Sequence, residues 1–111
     1  MLGSPDGVLD ALCGVERAIE ESIDHLDAAV RRLRELRVQR RSGMTYREIV
    51  ARAHRPLVVE SVSLAMAPLQ HAGFRLRVAE ARALHDEGLT MAEIAALFGV
   101  SRQRVSALLR S

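Results

Sequence analysis

The sequence predicts an all-α fold: a long N-terminal helix, then a helical bundle, then a C-terminal tri-helical unit. Three observations carry that reading. Hydrophobic residues make up 49% of the 111 positions but aromatics only 3%, so the core must be built from Leu, Val, Ile, Ala and Met, the mix that interlocking helices use. Apolar residues recur at helical spacing from about Val8 to Arg41, a stretch without proline and with Gly14 as its one glycine. Two Thr-x-x-Glu capping boxes, at Thr45–Glu48 and Thr90–Glu93, each open a further helix after a glycine. A chain this short holds one compact domain or two very small helical units, which excludes large enzymatic architectures.

Taken in order, residues 8–42 read as one long amphipathic helix. Leu12, Ile19, Leu26 and Leu33 fall seven apart, with Val15, Ala29 and Leu36 at companion positions and Ser22 interrupting that second row. Ile23 and Val30 widen the stripe, as suits a helix in a bundle or an antiparallel pair; in a parallel pair Arg32 would face Arg37 of its partner. The expectation is a homodimer joined through Leu12, Ile19, Leu26 and Leu33. Ser42-Gly43 ends this helix, and Thr45 and Glu48 cap a short one running to about Ala53. Arg55-Pro56 marks a boundary before another helix, with Pro56 as its first residue and Leu57, Val58, Val62, Ala65, Met66 and Leu69 as its buried face. Gly73 is expected to close that helix, and a further one over residues 75–86 leads to Gly88.

The run from Leu89 to Leu109 predicts two short helices about a tight turn. Thr90 caps the first with Glu93 returning the bond, while Ile94 and Phe98, four apart, face inward. Ala95 suits a close helix approach. Gly99 supplies the left-handed conformation that ends the helix, Val100 is expected to drop into the core, and Ser101 caps the second helix. Val105 and Leu108 then return onto Ile94 and Phe98. The outward surface carries Ser101, Arg102, Gln103, Ser106, Ala107 and Arg110, with Arg104 near its edge. Arg pairs with guanine and Gln with adenine in the major groove of duplex DNA, Ser holds phosphate, and an exposed helix start attracts anions.

This run, and Gly99-Val100-Ser101-Arg102-Gln103-Arg104-Val105 above all, resembles the helix-turn-helix of bacterial transcriptional regulators, especially sigma-factor promoter-reading, LuxR-type and recombinase DNA-binding domains. The resemblance covers residues 75–111, with 75–86 as the supporting first helix. It implies a helix-turn-helix DNA-binding unit over residues 74–111, in which Arg102, Gln103 and Ser106 face bases. Ser101, Arg104 and Arg110 would then touch phosphate, joined by Thr90 at the start of the preceding helix.

Gly43–Ile49 matches Gly88–Ile94 at a constant offset of 45 residues, which fits either a tandem repeat or the common likeness of capping boxes. Residues 43–73 would accordingly form a degenerate helix-turn-helix-like pair, presenting Leu57, Val58, Val59 and Glu60 where a DNA reader offers Arg or Gln. Charge is unevenly placed: residues 1–30 carry seven acids against Arg17, and residues 31–55 carry nine arginines against Glu35 and Glu48. That asymmetry fits a polyanionic partner or a salt-bridged helix surface, with Arg47, Arg52 and Arg55 placed for phosphate or solvent.

His25, His54, His71 and His85 show no ligand spacing, and Cys13 stands apart from them, so no metal site and no cofactor are expected. Cys13 reads as a small buried hydrophobe. No catalytic constellation is present, so no enzyme activity is expected. A lone cysteine, the lack of an 18-residue apolar run and the lack of an export signal point to a cytoplasmic, nucleoid-associated protein without membrane contact. The functional expectation is a homodimeric, sequence-specific transcriptional regulator bound to double-stranded DNA through residues 101–110. Its alternative is a sigma-like or antitoxin-like adaptor whose long helix binds a protein partner.

Overall fold

A computed structural model describes residues 6–53 and 57–111. Five helices follow in order: α1 (Gly7–Arg41), α2 (Tyr46–Arg52), α3 (Val58–Asp86), α4 (Met91–Phe98) and α5 (Arg102–Arg110). The fold is all-α, and no strand occurs among the described residues. The chain divides into two compact units, one of residues 1–17 with 70–111 and one of residues 18–69, so that α1 and α3 each contribute to both. The expected boundary at Arg55-Pro56, with His54 beside it, lies outside the described residues.

In the 18–69 unit, α1 buries a row of small residues. Ala18, Ser22 and Ala29 are its buried positions, and Leu36 on the same row is half-buried, as is Val15 where α1 belongs to the other unit. Ser22 is thus no interruption of the seam but a contact with α3. Its hydroxyl oxygen lies 2.7 Å from the Ala18 carbonyl oxygen and 3.2 Å from that of Ala65, which is itself buried. A hydroxyl with such partners can be buried without the cost of an unsatisfied polar group. Leu12, Ile19 and Leu33 sit on a different face, each 46% exposed, with Leu26 half-buried. Cys13 is exposed, contrary to expectation, because it too falls off the buried row. Leu57, just before α3, and Val58, Val62 and Leu69 along it are half-buried, whereas Met66, expected on the same buried face, is exposed.

The two Thr-x-x-Glu segments enter their helices alike. Gly43 and Gly88 both have positive φ (99° and 103°), Thr45 and Thr90 both cap the next helix, and Ile49 and Ile94 are both fully buried. The likeness ends there: α2 stops at Ala53 in extended conformation, whereas α4 stops at Gly99 in the left-handed one.

Gly73 does not close a helix. α3 runs through it, and through Pro68, without a break. A mid-helix glycine costs about 1 kcal/mol relative to alanine, and here no cap follows it: Phe74 and Arg75 continue an apolar-periodic run into Leu76 and Val78. Its φ is not in the left-handed region, and no atom lies within 4 Å of where a Cβ would stand. Replacement by alanine therefore reduces unfolded-state entropy at no steric cost. Gly73→Ala is expected to stabilise the protein by about 0.5–1 kcal/mol in urea unfolding; a loss of stability would mean that this residue ends a helix after all.

Candidate nucleic-acid interface

The C-terminal unit is built from local signals that agree with one another. Thr90 and Glu93 form a reciprocal capping box: the Thr90 amide donates to Glu93 Oε1 at 2.9 Å, and the Glu93 amide donates to Thr90 Oγ1 at 3.1 Å. Bonding from the Thr90 backbone, and then from its hydroxyl, holds the Glu93 carboxyl below the usual glutamate range. A depressed carboxylate pKa stabilises the fold above the unfolded-state value, and this contribution is lost as pH falls through the folded one. In α2 the Thr45 half of the box is made, with the Glu48 amide donating to its hydroxyl at 3.2 Å.

At the other end of α4, Gly99 adopts φ 69° and ψ 34°. Its amide and that of Val100 both turn back to the Ala95 carbonyl, the latter at 3.0 Å. The backbone then leaves extended, and Ser101 caps α5 by accepting from the Arg104 amide at 3.1 Å. The helices so joined close on one core of Val78, Ala81, Ile94, Ala95, Val105 and Leu108, with Leu84, Leu89, Met91, Phe98 and Leu109 packed around it. Phe98 is thus partly buried rather than central. Val100 departs from expectation: it is 39% exposed. The reversal at Gly99 leaves it at the rim, where its amide closes the cap.

Each predicted surface residue can now be placed. Ser101, Arg102, Gln103, Arg104, Arg110 and Thr90 are exposed; Ser106 and Ala107 are half-buried. Among the described residues, Arg102 and Gln103 make no hydrogen bond or ion pair. Arg104 is drawn toward α3, its guanidinium 5.8 Å from the centre of the Phe74 ring. Ser106 accepts from Arg110 Nη1 at 2.6 Å, so these two form a pair on the helix. Sequence reasoning missed the supports on α3: Arg77 stacks over Phe98 at 4.1 Å, and Arg82 donates to the Ser111 carbonyl oxygen. A row of arginines at 75, 77 and 82 signalled charge, but not which aromatic ring or carbonyl each would find.

A supporting helix, a capped helix, a glycine turn and a second capped helix whose outer face offers unpaired Arg and Gln constitute a helix-turn-helix of the DNA-binding kind. Residues 68–111 match the family described as sigma-70, region 4, a helix-turn-helix DNA-binding region and not an enzymatic family. The match begins at Pro68, close to where α3 enters the C-terminal unit. No curated protein and no solved structure matches the chain. No helix among the described residues is long and apolar enough to cross a membrane.

The turn depends on φ at residue 99 rather than on space, since nothing lies within 4 Å of a Cβ built there. Gly99→Ala should therefore destabilise the fold by roughly 1–2 kcal/mol, the cost of an L-residue in the left-handed region, with Gly99→Asn losing less. Urea unfolding of the two variants checks the order, and equal stability of glycine and alanine would contradict it.

Proposed function

We propose that the protein is a sequence-specific, double-stranded DNA-binding regulator of transcription that acts as a homodimer and lays α5 in the major groove. One observation carries the reading: Arg102 and Gln103, the two residue types that pair bidentately with guanine and adenine, stand exposed and unpartnered on the first turn of a helix whose direction is set by Gly99. The family match over residues 68–111 supports DNA as the partner.

In this reading Arg102 and Gln103 contact base edges. The Ser106–Arg110 pair follows one turn later, with Ser106 nearest the bases and Arg110 reaching phosphate. Ser101, Arg104 and Thr90 complete the phosphate contacts, and stacking on Phe74 limits the directions Arg104 can take. In this reading α1 dimerises, α2 and the first part of α3 support it, and the end of α3 with α4 and α5 binds DNA. A single unit of this size makes few phosphate contacts, so a pair of units on half-sites about one helical turn apart (roughly 34 Å), or a multiple of that, supplies the affinity.

Selection of bound duplexes from a random pool at two salt concentrations tests the proposal. The wild-type chain should enrich a defined motif at both. Arg102→Ala and Gln103→Ala should each keep their helical signal by circular dichroism yet lose preference at one or two base pairs, by about 1–3 kcal/mol. Sequence-blind binding abolished by salt, or variants with the wild-type preference, would overturn it.

A further inference from the structure

Within the 18–69 unit, α1 presents a second face that its own chain leaves uncovered. Ile19, Ile23, Val30 and Leu33 are all exposed, Ile23 at 59%, and Leu26 between them is half-buried. These five recur at alternating four- and three-residue steps, a heptad seam, about 80° around the helix from the buried Ala18–Ser22–Ala29 row. The exposed flank of the seam changes sign along its length: Glu20 and Asp27 on the N-terminal side, Arg34 and Arg41 on the C-terminal side.

We infer that this face is occupied by α1 of a second copy of the chain, running antiparallel, with the two-fold axis passing near residue 28. This rests on the homodimer reading given above and adds its direction and register. Charge complementarity decides the direction. In a parallel pair, the acids at 20 and 27 would lie level with the same acids, and the arginines at 34 and 41 with the same arginines. Reversal of one helix about residue 28 brings Arg34 of the second copy between Glu20 and Asp27. The same register stacks Ile23 on Leu33 and Leu26 on Val30 of the second copy, each pair occurring twice by symmetry. Four consecutive layers are then apolar, closed at each end by Ile19 against the stem of Arg37, a side chain suited to covering apolar surface while its head stays in water. An axis between residues 24 and 25 also gives four apolar layers, but it closes them with Leu33 against Glu16 and sets Asp27 against Glu20, so that acids meet along the flank. At the axis itself the two Asp27 carboxylates approach, and each already has a cation in its own chain, Arg31 Nη1 at 2.8 Å.

Disulfide trapping in the full chain, without DNA, tests direction and register together. In a Cys13→Ser background, single-cysteine chains Ile23→Cys and Leu33→Cys are mixed in equal amounts and oxidised gently. The antiparallel pair predicts mixed 23–33 crosslinks well in excess of 23–23 and 33–33 species; a parallel pair predicts the reverse and would overturn the inference. Sedimentation equilibrium of unaltered wild-type chain guards against damage by the cysteines, and should show a dimer at micromolar concentration. Glu20→Arg or Arg34→Glu alone should weaken that dimer several-fold, with the two changes combined restoring much of it. A wild-type monomer at tens of micromolar would overturn the inference and the homodimer reading, and leave DNA binding by α5 standing. Loss of duplex selection with crosslinks intact would do the opposite.

Discussion

The left-handed backbone at Gly99 is the constraint on which the C-terminal unit depends. A residue with φ near +69° reverses the chain in one step, which lets the amides of residues 99 and 100 share one carbonyl and frees Ser101 to start the next helix. With that angle set, Val105 and Leu108 join Ile94 in one core and are among the most buried of the described residues. Everything outward on α5 follows from that inward pairing. Since positions 105 and 108 point to the core, 102 and 103 are rotated away from it, and the side chains with the richest hydrogen-bonding potential face solvent. The exposed edge is therefore a consequence of packing: its arginine and glutamine face outward because the apolar residues of the same helix face inward.

The long helix obeys a different logic, the separation of two faces by side-chain size. On one face, alanine and serine let a neighbouring backbone approach until a hydroxyl bridges two carbonyls across Ala18, Ser22 and Ala65. On the other, branched and larger residues project into solvent, where their exposed area is an unmet hydrophobic contribution. Small residues make intimate contacts and large ones make extensive contacts. A helix carrying both in separate rows is suited to one partner within the chain and another outside it.

How much of this was legible in the sequence depended on whether the determinant was local. Capping by Thr90, Glu93 and Ser101, and the turn at Gly99, each involve residues within four positions of one another, and the structure has them as the sequence reading expects. Gly73 and Gly99 are the same residue type with opposite outcomes. What separates them is the company they keep: Gly99 is followed by a capping serine, whereas Gly73 is followed by further helix-compatible apolar positions, and a cost of about 1 kcal/mol does not outweigh those contacts. Val100 contributes its amide to the cap and leaves its side chain exposed, a direction that no local pattern specifies. The apolar stripe of α1 is legible in the sequence but its division into two rows is not, because the second partner of Ser22 is Ala65, 43 residues away. The stacking of Arg104 toward Phe74 and of Arg77 over Phe98 joins residues distant in sequence, for which no local pattern exists.

In the proposed function, the first turn of α5 is the edge that meets DNA. Backbone amide shifts recorded by NMR as an enriched duplex is titrated into the protein report that edge directly. The largest changes should fall on residues 101–104, with smaller ones at 90, 106 and 110 and almost none at the core positions 94, 105 and 108. Changes centred instead on the arginine-rich stretch of residues 31–52, with residues 101–104 silent, would contradict the account.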